Sequence, residues 1–276
     1  MEGCMQRGTV KSASRTIQVL ELFQQKRRPL RLNEIYRELN YPQSSATNLL
    51  KSLVVAGYLN YNRSTMSYLP TLKVSSLGNW LSTALNSYGE LDRLIQDIHS
   101  RTGETVGLVS QNDLFIQYVR FISNADAPFS RLQELNMPPD EGAMRLMIDS
   151  SAGLAMLSRL RDREIDKIYR YSRHYNRDSD AVPDFEEFMR EVRWARQVGY
   201  AFLPKKPTPE LASIAIALDQ RVHGIPLAVG VGGLVESMSK RKNEILRVMR
   251  EAIASFHSTQ LLAQAGESEM EYAQAS

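Results

Sequence analysis

The 276-residue chain predicts an α+β protein in two parts. An N-terminal winged helix-turn-helix domain is joined by a linker helix to a larger α+β domain built on an antiparallel sheet. Three observations carry this. Apolar residues recur at helical spacing three times within the first 55 positions, and the period then changes to two. Charge is partitioned: residues 1–80 hold eleven Lys and Arg against four acids, a net of +7, and the remainder is net −4. Beyond residue 86, amphipathic helical patterns mix with apolar runs of strand length bounded by polar turns, which is the mark of an α+β domain.

Composition narrows the class first. With 43% hydrophobic and 24% charged residues the chain reads as ordinary globular protein. A single cysteine, Cys4, excludes an intramolecular disulfide framework and a cysteine-based zinc site. The longest clean apolar run, Leu211 to Leu218, falls far short of the roughly twenty residues a membrane span needs. Met1 to Ser14 is mixed polar and basic without an apolar core, so no signal peptide and a cytoplasmic location are expected.

The head is expected over residues 10–70, after a flexible stretch at 1–9. Its first helix carries Ile17, Leu20 and Phe23 inward and ends at Lys26-Arg27-Arg28, with Pro29 as the stop. The second places Leu32, Ile35 and Leu39 inward, with Asn33 as its N-cap, and is followed by the turn Asn40-Tyr41-Pro42. The third is the clearest. Ala46, Leu49, Leu50, Leu53 and Val54 share one face, Pro42 fits its first turn, and Gly57 ends it. Tyr58–Tyr61 and Ser67–Leu69 then read as a hairpin around Asn62–Thr65.

The outward side of the third helix carries Gln43, Ser44, Ser45, Thr47, Asn48 and Lys51, with no acid among them. A helix that only has to meet water usually mixes in Glu or Asp. An acid-free face of short hydrogen-bonding groups suits the base edges and phosphates of double-stranded DNA. Asn48 and Gln43 suit an adenine edge, whereas Lys51 and, in the hairpin turn, Arg63 suit phosphates. In a winged helix-turn-helix the second helix of the pair lies in the major groove and the wing tracks the neighbouring backbone. The plainer reading is that these helices and the hairpin merely cap another domain.

A linker helix is expected over 71–86, with Leu77, Leu81 and Leu85 on one side beside Trp80. Such a stripe serves either a core or a seam with a second copy, and a two-headed homo-oligomer, dimer or tetramer, is the natural state for reading two half-sites. The larger domain is placed at 87–258. It begins with a helix through Leu91, Leu94, Ile95 and Ile98, ending at Gly103. Strands follow at 105–110 and 114–120 around Asn112-Asp113, then a helical run within 144–160 beginning near Ser150. An amphipathic helix over 184–198 stops at Gly199. Strands at 211–218 and 225–231 flank a polar turn, and a helix spans 240–257. Residues 259–276 are expected to be a disordered tail.

These segments resemble the IclR-type transcription regulators. Val10-Lys11-Ser12-Ala13-Ser14-Arg15-Thr16 resembles the family's opening "VKSADRA", and Tyr41 to Leu50 is similar to its "LPKSTAHRLL". Leu53 to Leu59 is similar to "LVERGYL", and Gly103-Glu104-Thr105-Val106 and Gly199-Tyr200-Ala201 to "GETV" and "GYA". The resemblance runs from about Val10 to Phe256. It implies a sequence-specific DNA-binding regulator with an effector-binding domain responsive to a small organic acid, and it adds Arg15 to the DNA-contact set. Ile148 to Ala155 looks like "HATALGKA", the family's pocket loop, so Met147, Ser150, Ser151 and Gly153 are implied to line the pocket. Backbone N–H groups at a helix start suit a carboxylate; equally, a serine there serves as an N-cap. The family's pocket cysteine falls on Ala212, its two serines on Gly230 and Gly232, and its usual acid after "GYA" on a stretch containing Lys205 and Lys206. In the recognition helix its usual Arg and Lys fall on Asn48 and Gln43, which leaves the fold unaffected and the DNA sequence open.

Signals for catalysis are lacking. Four histidines are scattered without HExxH spacing, Gly230-Val231-Gly232-Gly233 lacks GxGxxG, and neither GxSxG nor a P-loop occurs. The expectation is a protein that is not an enzyme and needs no metal or cofactor. Its rivals are a DNA-binding scaffold without a ligand and an enzyme or ligand-carrier domain with an incidental head.

Overall fold

The computed structural model describes residues 10–77, 87–123, 142–175, 183–222 and 224–274. The chain divides into two compact units, Met1–Leu85 and Asn86–Ser276.

In the first unit, α1 (Lys11–Lys26), β1 (Leu30–Arg31), α2 (Leu32–Glu38) and α3 (Gln43–Val55) precede the hairpin β2 (Leu59–Asn62) and β3 (Ser67–Pro70). β3 is central in a three-stranded antiparallel sheet, pairing Leu30 with Tyr68 on one side and Tyr61 with Tyr68 on the other. The core joins Val19, Leu22 and Phe23 of α1 to Ile35, Leu50, Leu53 and Leu59. Here the helix phase differs from expectation: Ile17 is 54% exposed, and Val19 with Leu22 and Phe23 forms the buried stripe. That set is spaced i, i+3, i+4, a tighter match to one helix face than the i, i+3, i+6 series read from Ile17. α2 begins two residues earlier than expected. Arg31, not Asn33, is its N-cap, and the Glu34 carboxylate accepts the Arg31 N–H at 2.8 Å. Gly57 ends α3 as expected, at φ +80°, where the Tyr58 and Gly57 N–H groups bond the Leu53 and Val54 carbonyls. A helix starts at residues 72–77, and its Lys73 Nζ caps the same helix end through the Ala56 carbonyl at 2.9 Å. Trp80, Leu81 and Leu85 lie outside the described residues, as does the stretch 1–9.

The second unit is a six-stranded antiparallel sheet with helices on both faces. In chain order it contains α4 (Ser87–Thr102), β4 (Thr105–Asn112), β5 (Phe115–Ile122), β6 (Met144–Leu146) and α5 (Ser151–Leu157). It continues with α6 (Asp162–Tyr175), α7 (Phe185–Val198), β7 (Ala201–Pro204), β8 (Leu211–Val222), β9 (Ile225–Leu234), α8 (Val235–Lys240) and α9 (Lys242–Gln274). Strand order is β6-β5-β4-β9-β8-β7. The period-two rule splits the central strands between two cores. Val106, Leu108, Ala212, Ile214, Ile216, Val229 and Val231 pack with α4, α8 and α9. Val109, Ala215, Ala217 and Ala228 pack with α5, α6 and α7.

The helical run expected to begin near Ser150 is α5, which Ser150 caps; a short edge strand and a 3₁₀ turn at Met147–Asp149 precede it. Two expectations are revised. α6 was not expected, although Ile165, Ile168, Tyr169 and Ser172 keep helical spacing among its charges. Finally, α9 continues to Gln274, past the start of the tail expected at 259. The Ala, Leu, Gln, Glu and Met of that stretch are strong helix formers, interrupted once by Gly266.

Candidate DNA interface and ligand site

Ala46, Leu50 and Leu53 hold α3 to the head, so its opposite side is fixed in direction. Ser44, Asn48 and Lys51 lie exposed along that side, and Ser52 and Val55 extend the row, Val55 being 89% exposed. The last two were not anticipated, although 100° per residue places them on the same line. Gln43 is exposed at the helix start, whereas Ser45 and Thr47 are half-buried on the flanks. The Thr47 hydroxyl donates to the Gln43 carbonyl at 2.8 Å, leaving its oxygen to accept.

Arg15 is tied to this helix. Its Nη1 donates to Ser45 Oγ at 2.8 Å, and its guanidinium lies 4.8 Å from the centre of the Tyr41 ring. The Tyr41 hydroxyl in turn donates to Gln18 Oε1. A guanidinium with five donors that spends one on Ser45 keeps the others for a phosphate, in a fixed direction. In the wing, Asn62 Oδ1 accepts from the Ser64 N–H and hydroxyl at 2.9 and 2.6 Å, which shapes the turn that presents Arg63. Among the described residues of the head the ion pairs are Lys26–Glu38 and Arg28–Glu34, each 2.7 Å. Neither pair includes Lys51 or Arg63. Glu34 is held below the usual carboxylate range by the Arg28 hydrogen bond and the Arg31 N–H.

The ligand-site residues read from the sequence do not all meet. Ser150 is the N-cap of α5, its Oγ accepting the Gly153 N–H at 3.0 Å. The Ser151 hydroxyl donates to Ser213 Oγ at 2.8 Å. Gly153 lies against Met147, where a Cβ would stand 2.1 Å from the Met147 carbonyl oxygen, and Met147 itself is fully buried. Thus the capping role claims Ser150, and α5 is pressed onto the preceding turn. Ala212 is a correction. Strand alternation turns it toward α4 and α9, and Ser213 is the residue of β8 that faces α5.

What the α5 side of the sheet does offer is a floor without side chains. Gly107 of β4 pairs directly with Gly230 of β9, which pairs with Ala215 of β8. The Tyr118 and Phe121 rings lie over Gly107 within ordinary contact, whereas a Cβ on half-buried Gly230 would meet nothing closer than 3.8 Å. In the next row Gly232 stands between Thr105 and Ser213. Thr105 Oγ1 is buried without a hydrogen-bond partner, the kind of group that marks an unfilled polar position. Beside this floor, Asp149 accepts from Arg145 Nη2 and Lys206 Nζ, each at 3.1 Å. Burial pushes the Tyr118 phenol up, partly opposed by Arg145. A cleft of about 450 Å³ opens at the edge of the sheet between Leu154, Glu191, Trp194, Phe202 and Leu203, a size suited to a small molecule.

Known proteins share this architecture. Residues 12–63 match the IclR helix-turn-helix domain, and residues 85–256 match the bacterial transcriptional regulator IclR C-terminal domain. Over 99 residues, 36% of this chain and 39% of its relative, the chain is 24% identical to the HTH-type transcriptional regulator XynR of Escherichia coli (strain K12). It therefore spans about two fifths of that regulator's length. The crystal structure of the Thermotoga maritima IclR is 17% identical over 90% of this chain and 98% of that one, with a TM-score of 0.67. An IclR homolog from Microbacterium hydrocarbonoxydans, complexed with 4-hydroxybenzoate, is 18% identical over 90% and 98%, with a TM-score of 0.65. With a helix-turn-helix head in its first unit, a curled antiparallel sheet in its second and both family domains matched over most of its length, the chain belongs to the IclR family of bacterial transcriptional regulators.

Proposed function

We propose that this regulator binds operator DNA as a symmetric homo-oligomer, dimer or tetramer, in the cytoplasm, and that a small carboxylate on the glycine floor adjusts that binding. The observation that carries the DNA reading is the acid-free row Ser44, Asn48, Lys51 on α3, which the leucine face aims outward. Asn48 and Gln43 serve base edges, while Ser44, Ser45, Thr47, Lys51, Arg63 and the pinned Arg15 serve phosphates and register. Two heads related by a twofold axis match two half-sites one or more helical turns apart.

The ligand reading is supported by the Gly107–Gly230 floor under two aromatic rings, by the unpartnered Thr105 hydroxyl, and by the 4-hydroxybenzoate in a relative of the same fold. Met147, Ser150, Ser151, Gly153 and Gly232 shape this site rather than bind through exposed donors. The ligand acts by population shift: it favours whichever placement of the heads it binds more tightly.

Selection of bound fragments from genomic DNA tests the proposal. Enrichment of dyad-symmetric sequences with half-sites spaced by about 10 base pairs or a multiple supports it. Absence of any enrichment at moderate ionic strength, with and without added small carboxylates, removes it.

A further inference from the structure

The two edges of the six-stranded sheet meet on one carboxylate. β6 and β7 are its opposite edges, yet Arg145 of β6 and Lys206, just after β7, both reach Asp149 in the turn before α5. Tyr118 belongs to the same ring of contacts, since its side chain covers Gly107 and feels the Arg145 charge. Next to Asp149 in the chain, Ser150 and Ser151 lead to Ser213. The charged group therefore sits on the rim of the glycine floor.

The two cations are held unequally. Arg145 grips Asp149 twice, through Nε to its carbonyl at 2.9 Å and Nη2 to its carboxylate, and its side chain is 14% exposed. Lys206 makes one contact, and its side chain is 36% exposed. A planar guanidinium with two bonds stays; a single ammonium on a flexible stem can change partner. Of the other acids nearby, Glu191 of α7 makes no ion pair within 4 Å among the described residues. Burial pushes its carboxyl up, with Glu187 and Asp149 adding to the effect and Lys206 opposing it. Two cations thus share one firmly bound anion.

We propose that Lys206 is the anion-recognising residue of this site, a ligand carboxylate taking Lys206 from Asp149 while Arg145 keeps Asp149 in place. The proposal rests on the small-carboxylate reading above and goes beyond it, in naming the residue and requiring an anionic ligand. The flat apolar body of such a ligand lies toward Gly107 and Gly230.

The test is calorimetric titration of the full chain with benzoate, 4-hydroxybenzoate and neutral benzamide, using wild type, Lys206→Met and Asp149→Asn, each checked for an intact melting transition. Wild type should bind the two carboxylates at least tenfold more tightly than benzamide. Lys206→Met should lose at least tenfold for the carboxylates and erase their advantage over the amide. Asp149→Asn should bind benzoate severalfold more tightly, because Lys206 is released; damage to the fold would weaken both variants alike. Carboxylate binding unchanged in Lys206→Met, weaker binding by Asp149→Asn, or benzamide equal to benzoate in wild type overturns the role of Lys206 and leaves the ligand site standing. No binding of any probe overturns both.

Discussion

Replacing Gly153 by alanine asks α5 to accept one methyl group where the fold leaves no room. The added Cβ would lie 2.1 Å from the Met147 carbonyl oxygen and 2.4 Å from Met147 Cα. Carbon and carbonyl oxygen approach no closer than about 3.3 Å, so helix and turn must part by roughly 1 Å. Both offending atoms are backbone, and every residue of Ser151–Leu157 is buried, so no flexible side chain absorbs the shift. Overpacking of this kind costs about 1–3 kcal/mol. The Ser150 cap, whose donor is the Gly153 N–H, adds about 1 kcal/mol if it is lost. A total of about 2–4 kcal/mol lowers the melting temperature of a unit this size by roughly 5–15 °C. Gly230→Ala is the control. Its Cβ meets nothing nearer than 3.8 Å, and relief of the glycine penalty in a strand is worth about 0.5–1 kcal/mol, so stability should hold or rise slightly. Urea denaturation followed by far-ultraviolet circular dichroism reads both. Equal midpoints for Gly153→Ala and wild type would refute the close-contact argument.

Other consequences are measured as simply. Lys51→Ala should reduce the slope of log K against log salt by about 0.9 on any duplex, read by fluorescence anisotropy over a salt series. An unchanged slope would place Lys51 in solvent. Gly230→Leu should leave the melting transition intact but abolish benzoate binding in calorimetry, since the side chain fills the open floor; retained affinity would move the ligand elsewhere. Glu191→Gln should stabilise the larger unit at neutral pH and have no effect in acid. The folded carboxyl lies above its unfolded value, so the penalty appears as pH rises through about 4.3 and is complete above the folded pKa. Thermal melts at pH 3.5 and 7.5 distinguish this from a pH-independent packing effect.

Where a short-range rule dominates, the sequence was readable. The third helix, its leucine face, Gly57 as the stop, the amphipathic helix α7 and Gly199 as its end all follow from local chemistry and recur in the structure. Errors arose where the deciding partner is remote. Ile17 and Val19 both fit an amphipathic helix, and only packing against Ile35 and Leu50 selects Val19. Ala212 and Ser213 are adjacent in an apolar run, and only the register with Gly232 and Gly233 decides which faces α5. The N-cap role of Ser150 was legible; the contact of Ser151 with Ser213, 62 residues away, was not. Most of the rim charge was likewise hidden, because Arg145 and Lys206 are brought together by the curl of the sheet rather than by any spacing along the chain.

The most direct measurement is the affinity of Asn48→Ala for a selected operator and for its single-base variants at each half-site position. If the outward row of α3 reads the major groove, the variant loses about 1–3 kcal/mol on the parent operator and ceases to discriminate at one base pair per half-site. Full affinity, or a uniform loss with every base preference retained, would contradict it.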